Sequence, residues 1–109
     1  MHWLDLAAYF FGGVFLVNAV PHCGSGVTGR PFQTPFAKPS GQGLSSSTVN
    51  VLWGFFNLAV GYLLVCRVGD FNLRATGDIV ALGLGGLSIG LFSAWHFGRF
   101  HGGAAPGGP

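Results

Sequence analysis

The chain has 109 residues, of which half are hydrophobic and only 7% are charged. Water-soluble domains carry about 25% charged residues, so five basic and three acidic side chains cannot cover a soluble surface of this size. The formal net charge of +2 is too small and too scattered to favour nucleic acid as a partner. The composition indicates a single transmembrane domain over residues 1–109.

Three long apolar segments follow one another along the chain, at about 3–20, 49–67 and 78–98. Each is close to the roughly 20 apolar residues that an α-helix needs to cross a bilayer. Only helices and closed barrels satisfy their backbone groups in lipid, and no alternating strand pattern supports a barrel. The sequence therefore predicts an all-α membrane protein with three transmembrane helices.

A long Gly/Pro-rich connector, residues 21–48, separates the first two predicted helices. Pro21 is expected to end the first helix, because the residue before a proline is pushed out of the α region. Ser45–Thr48 supplies N-cap candidates for the second helix. Connections this long are uncommon unless they are functional or disordered. We expect the connector to be ordered and to lie as a cap at one membrane interface, and residues 102–109 to form a flexible tail.

Three spans determine which parts of the chain share a side of the membrane. The connector and the tail lie on one side, and the N-terminus and the turn between helices 2 and 3 lie on the other. Trp53 and Trp95 then fall at one interface and Trp3 at the opposite one, as in an aromatic belt. The basic residues are divided almost equally between the two sides, so the positive-inside rule sets no absolute orientation.

Helices 2 and 3 each carry small and polar residues on one face. The residues are Asn50, Gly54, Asn57 and Gly61 in helix 2, and Gly83, Gly86, Gly90 and Ser93 in helix 3. Small residues let helix backbones approach closely, and amide side chains hydrogen-bond across to a neighbour. Two interpretations stay open: packing within the monomer, and a face for self-association or for a partner subunit.

Two Pro-Phe pairs lie four residues apart in the connector, between two basic residues. The four side chains of interest are Arg30, Phe32, Phe36 and Lys38. Aromatic and basic side chains suit the headgroup level of a bilayer. The pattern predicts an interfacial latch or a lipid headgroup site, with a passive loop on the bilayer as the alternative.

The stretch 24–29 matches the pattern G-x-G-x-x-G. A dinucleotide site needs a preceding strand and a following helix, whereas a predicted membrane helix precedes this stretch and a Pro-rich segment follows it. We interpret it as a flexible turn, with a lipid phosphate held by its amides and Arg30 as the alternative.

Four Cys and His residues are expected near the interface that carries the connector: His22, Cys23, His96 and His101. Such side chains can bind zinc or copper, and paired histidines can bind haem iron. Their spacing fits no compact metal motif, so we predict no cofactor and name them only as the candidates for a metal. Cys66 is expected at the opposite side, too far away for a disulfide with Cys23.

No ionisable side chain lies in the middle of a predicted span, since Asp5, Arg67, Asp78 and Arg99 are all at span ends. A path for ions or protons would place such groups at depth. We therefore predict no catalytic residue, and no proton-coupled transporter built from this chain alone.

Several stretches resemble a group of short, functionally uncharacterised bacterial integral membrane proteins. They are NAVPH at 18–22, GRPFQTPFAKP at 29–39, SSSTVNVLWGFFNL at 45–58 and GRFHGG near the end. The resemblance implies a multi-pass protein of the bacterial inner membrane. It carries over no catalytic or binding residue.

Small size, small-residue faces and the lack of charge at depth favour an accessory or structural subunit of a larger membrane complex. Its partners would be membrane lipids and either other membrane subunits or further copies of itself. The first alternative is a homo-oligomeric small channel or carrier, with Asn50 and Asn57 as its lining. The second is a metal- or haem-binding redox protein that uses the His and Cys residues.

Overall fold

The computed structural model describes residues 2–103, which form three helices and a two-stranded sheet. The elements are α1 (His2–Val27), β1 (Phe32–Gln33), β2 (Leu44–Ser45), α2 (Ser47–Cys66) and α3 (Thr76–His101). All three helices are long and apolar enough to cross a membrane, which confirms the predicted helices in number and character. Of the predicted tail, residues 104–109 lie outside the described part of the chain.

Helix α1 continues past its predicted end. The expectation that Pro21 terminates it is wrong, because the helix runs through Pro21 to Val27. A proline inside a helix removes one backbone donor and crowds the carbonyl four residues earlier. The residues after Pro21 pack well, since His22 and Gly26 are both buried, and this burial offsets the local cost. The segment between α1 and α2 is therefore 28–46, shorter than the predicted 21–48.

A glycine cap ends α1. Gly29 has φ 76°, and the amide of Arg30 donates to the carbonyl of Ser25 at 2.9 Å. A left-handed glycine followed by this long-range bond is a Schellman motif, which satisfies the last carbonyls of a helix. The stretch 24–29, interpreted from sequence as a flexible turn, is thus the last helical turn and its cap.

The second and third helices begin in different ways. Ser46 accepts a hydrogen bond from the amide of Val49 at 3.2 Å, which confirms an N-cap within the predicted group. Helix α3 has no side-chain cap at Ala75. Instead Asp78, in its first turn, accepts from the amide of Asn72 at 3.0 Å. A carboxylate at this position also meets the positive end of the helix dipole.

Helix α2 packs antiparallel on α1 through glycines. A side chain at Gly12 would collide with Val65, and one at Gly54 would collide with Cys23. Close approach of the two backbones therefore depends on the missing Cβ atoms.

Helix α3 packs parallel on the other flank of α1. Gly13 lies against the backbone of Leu82, and Gly85 lies against the carbonyl of Phe10. Helices α2 and α3 both pack on α1, and within residues 2–103 they hardly touch each other. The fold is thus a central helix with two flanking helices.

Residues 28–46 form a hairpin that folds over one end of the three helices. Strands β1 and β2 are antiparallel, with Phe32 opposite Ser45. The buried hydroxyl of Thr34 pairs with that of Ser45 at 2.5 Å and accepts from the amides of Phe36 and Ala37 at 3.3 Å each. The sequence did not predict this sheet, because strands of two residues are too short to show an alternating pattern.

Candidate functional site

A cavity of about 260 Å³ lies beneath the hairpin, and all three helices contribute to its wall. The helices supply Asn18, His22, Trp53, Phe92, His96 and Phe97, and the hairpin supplies 33–35 and 40–41. None of these lining residues is an acid, a lysine or an arginine. The cavity is therefore uncharged, with aromatic rings and a few polar groups in its wall.

Asn50 joins α1, α2 and the hairpin at one edge of this cavity. Its amide nitrogen lies 3.2, 3.1 and 3.0 Å from the carbonyls of Phe32, Ser45 and Ser46. Its amide oxygen lies 2.7 Å from Nδ1 of His22. Asn50 is 0% exposed and His22 is 2% exposed, so both of these side chains are removed from solvent.

The network fixes the protonation pattern of His22. The amide nitrogen of Asn50 must face the three carbonyls, so its oxygen faces the imidazole and Nδ1 carries the hydrogen. In a neutral imidazole the other nitrogen, Nε2, then holds a free lone pair. Within residues 2–103 no group donates a hydrogen bond to Nε2. His22 is thus a positioned hydrogen-bond acceptor in the wall of the cavity.

Aromatic rings surround His22. Its ring centroid lies 5.5 Å from Phe32, 6.3 Å from Trp53 and 6.3 Å from Phe97, each in edge-to-face geometry. The indole Nε1 of Trp53 is buried and has no acceptor among the described residues. A buried donor without an acceptor lowers the free energy of unfolding by about 1–3 kcal/mol, so the indole N–H of Trp53 is a local source of instability.

Helix α3 is tied to the hairpin by two histidines. His96 donates from Nε2 to the carbonyl of Gly41 at 2.6 Å, and its Nδ1 accepts from Arg99 at 2.8 Å. His101 donates to Gln33 at 2.8 Å, and its ring stacks on Phe32 with centroids 5.0 Å apart. Both ring nitrogens of His96 therefore already make hydrogen bonds. Of the two histidines that line the cavity, His22 is the one whose Nε2 can still accept a hydrogen bond.

The four residues of the predicted latch do not act as one unit. Phe32 packs inward against Phe97 and His101. Arg30 and Lys38 are exposed, and Phe36 is 59% exposed while one side of its ring contacts Trp53. Phe32 therefore helps to hold the hairpin, whereas the other three remain at the surface.

The four candidate metal ligands are separated by the fold. His22 and His96 line the cavity, whereas Cys23 lies against Gly54 and His101 against Gln33. In the part of the chain that the structure describes, no group of three or more His, Cys, Asp or Glu residues is placed to hold a metal. The structure does not bring the four together.

The two predicted helix faces have different surroundings. In α2 all four members, Asn50, Gly54, Asn57 and Gly61, are buried. In α3 only Gly86 is buried, while Gly90 and Ser93 line an apolar groove beside α1. Gly83 is exposed, and a Cβ atom there would meet nothing within 4 Å.

Sequence reasoning missed several residues of the cavity, chiefly Asn18, Trp53 and the 33–35 stretch. Asn18 also donates to Asn57 at 3.0 Å and so links α1 to α2. One signal was available, because Asn18, Trp53 and His96 all lie within about three turns of helix ends that share a side. The chain matches no protein-family model, and no curated protein or solved structure matches it at a significant level.

Proposed function

We propose that the chain is a multi-pass protein of the bacterial inner membrane and serves as an accessory, structural subunit of a larger membrane protein complex. Support for the membrane comes from three helices that are long and apolar enough to cross it. Support for the bacterial inner membrane comes from the resemblance at 18–22, 29–39 and 45–58.

The main support for a subunit of a larger complex is an uncovered apolar groove between α1 and α3. It has a volume of about 440 Å³ and is lined by glycine and aliphatic residues alone: Gly13, Leu16, Val17, Leu82, Gly83, Gly86 and Leu87. The exposed Gly83 leaves the backbone of α3 open, since nothing lies within 4 Å of the position of a Cβ atom. Small residues are where membrane helices approach one another, so this groove suits a helix of another subunit.

Lipid contacts are part of the same proposal. Arg30 and Lys38 are exposed at the hairpin, close in sequence to the exposed ring of Phe36. Basic side chains attract anionic headgroups, and an aromatic ring inserts at the headgroup level. These three residues would anchor the hairpin in lipid.

The two alternative functions receive less support from the geometry. Asn50 and Asn57, the expected channel lining, are 0% and 1% exposed, and their amides are hydrogen-bonded inside the chain. Of the residues expected to hold a metal or haem, only His22 and His96 line the same cavity, and no group of three or more His, Cys, Asp or Glu residues among residues 2–103 is placed to hold a metal. We therefore propose neither a channel nor a redox protein.

The experiment is gentle extraction from native membranes in mild detergent, followed by native mass measurement. We expect the wild-type chain to be recovered with an unrelated membrane subunit in fixed stoichiometry. Gly83→Leu adds a side chain where a Cβ atom meets nothing within 4 Å, so we expect it to occupy the groove and release that subunit while the chain itself stays folded.

The matched control is Gly24→Leu, at an exposed helical glycine of α1 that also has open space beside it. This variant should retain the partner. A wild-type chain recovered only as a monomer or as a homo-oligomer contradicts the proposal. Equal loss of the partner in both variants would place the contact elsewhere than at the groove.

A further inference from the structure

The cavity beneath the hairpin has the size of a site for one small ring. Its volume is about 260 Å³. Pockets for small molecules usually measure about 300–1,000 Å³, so this cavity lies just below that range. It therefore suits a small molecule, or the ring of a larger one whose tail stays outside.

The wall of the cavity selects against charge. Its lining contains no acid, lysine or arginine that would pair with an ion. An unpaired ion in such surroundings is strongly disfavoured relative to water. The ligand is therefore neutral.

The rings in the wall favour an aromatic ligand. Trp53, Phe92 and Phe97 reach the cavity from two helices, together with the imidazoles of His22 and His96. Aromatic rings pack favourably edge-to-face or in offset stacks, and the rings around His22 already adopt edge-to-face geometry. A flat ring would complete this arrangement.

One polar group in the wall, His22, determines which substituent the ring must carry. His22 Nε2 needs a donor, because Nδ1 is committed to Asn50. The ring of Trp53 also lines the cavity, with its centroid 6.3 Å from that of His22. A hydroxyl is a neutral group that can donate to Nε2 of His22, whereas a carbonyl only accepts.

We propose that this cavity binds a neutral phenolic ring, such as the ring of a lipid-soluble quinol, with one hydroxyl donating to Nε2 of His22. The ring lies among Trp53, Phe92 and Phe97. Because α2 and α3 hardly touch, the space between them is not closed by helix packing, and an apolar tail has a way out between the two helices.

The test uses the full chain in detergent micelles, titrated with a decyl-substituted benzoquinol kept reduced. The matched ligand is the dimethyl ether of the same quinol, which has the same ring and tail but no donor. We expect the ether to bind about tenfold more weakly, the effect of one lost hydrogen bond. The oxidised quinone, which also lacks a donor, should be weakened in the same way.

A decylphenol with one hydroxyl distinguishes the two sources of such a ring. Binding equal to that of the quinol indicates a site for phenols in general, and weaker binding indicates one for quinols, in which the second hydroxyl also contributes. Both results support a phenolic site. No binding of either compound, or equal binding of quinol and ether, overturns it.

Variants then locate the site. His22→Gln should weaken quinol binding by about tenfold, and Trp53→Phe, which removes part of a ring in the wall, should weaken it by a smaller factor. The control is Trp95→Phe, because Trp95 is 59% exposed and does not line the cavity, and it should bind as the wild type does. Unchanged affinity in both test variants overturns the proposal. If a variant does not fold, the relative affinities of the wild-type chain for the quinol and for its dimethyl ether still test the proposal.

Discussion

Asn50 connects three parts of the chain with one side chain. Asn50 lies on α2, and its amide bonds His22 of α1 and the carbonyls of the hairpin at Phe32 and Ser45. Polar groups removed from water must find partners inside the protein, and this amide provides several at once. Asn18 makes a simpler contact, a single bond from α1 to Asn57 of α2.

We predict that Asn50→Ala lowers the free energy of unfolding by about 2 kcal/mol or more, because it leaves His22 Nδ1–H without an acceptor. Asn18→Ala should cost only about 0.6 kcal/mol, the mean for one hydrogen bond between membrane helices. Equilibrium unfolding in mixed detergent micelles, followed by tryptophan fluorescence, measures both. Equal losses would contradict the central role of Asn50.

The packing of α3 on α1 depends more on Gly85 than on the other glycines of α3. Gly85 faces the backbone carbonyl of Phe10, which cannot move away as a side chain can. Gly83, two residues earlier, points into open space. Replacing each of these two glycines by alanine therefore distinguishes the effect of helix packing from the effect of helix propensity.

We predict that Gly85→Ala separates α3 from α1 and costs about 2 kcal/mol or more, as overpacking against a rigid backbone does. Gly83→Ala should be neutral or stabilising by about 0.5–1 kcal/mol, because alanine favours the helix. Thermal unfolding in one detergent compares them. A Gly85→Ala variant as stable as the wild type would contradict the close packing of α3 on α1.

The helices themselves could be predicted because their signal is local. Length and apolar composition are enough to identify three helices. On α2 the spacing of Asn50, Gly54, Asn57 and Gly61 marks a single face, and that face is buried. On α3 glycines occur on several sides, so spacing alone selected Gly83 although Gly85 makes the contact.

The end of α1 and the hairpin could not be predicted, because tertiary contacts decide both. The backbone preference at Pro21 is overridden by the burial of His22 and Gly26. The hairpin is held by side chains far away in sequence, such as His101 on Gln33. No local sequence pattern predicts bonds between residues so far apart, so the cavity beneath the hairpin could not be predicted either.

The whole molecule has two chemically different ends. All three acidic residues, Asp5, Asp70 and Asp78, lie at the end away from the hairpin, at the start of α1 and around the turn from α2 to α3. The hairpin end carries Arg30, Lys38 and Arg99 without an acid among residues 2–103. This arrangement follows from the antiparallel packing of α2 and the parallel packing of α3 on α1.

We predict that the two ends face opposite sides of a membrane. In a chain with Cys23→Ala and Cys66→Ala, single cysteines at Ser40→Cys and Gly103→Cys should react with an impermeant maleimide from the same side. Leu73→Cys, at a residue that is 75% exposed in the turn between α2 and α3, should react only from the other side. Reaction of all three from one side would exclude three spans.

The hairpin has a mechanical consequence for the two outer helices. Within residues 2–103 it is the segment that bonds both of them, through Asn50 on α2 and through His96 and His101 on α3. Each such bond contributes a net of about 0.5–1.5 kcal/mol, which is small beside a helix interface. The hairpin thus links α2 to α3, which hardly touch each other within residues 2–103, so that without its bonds each outer helix would be held only by its packing on α1.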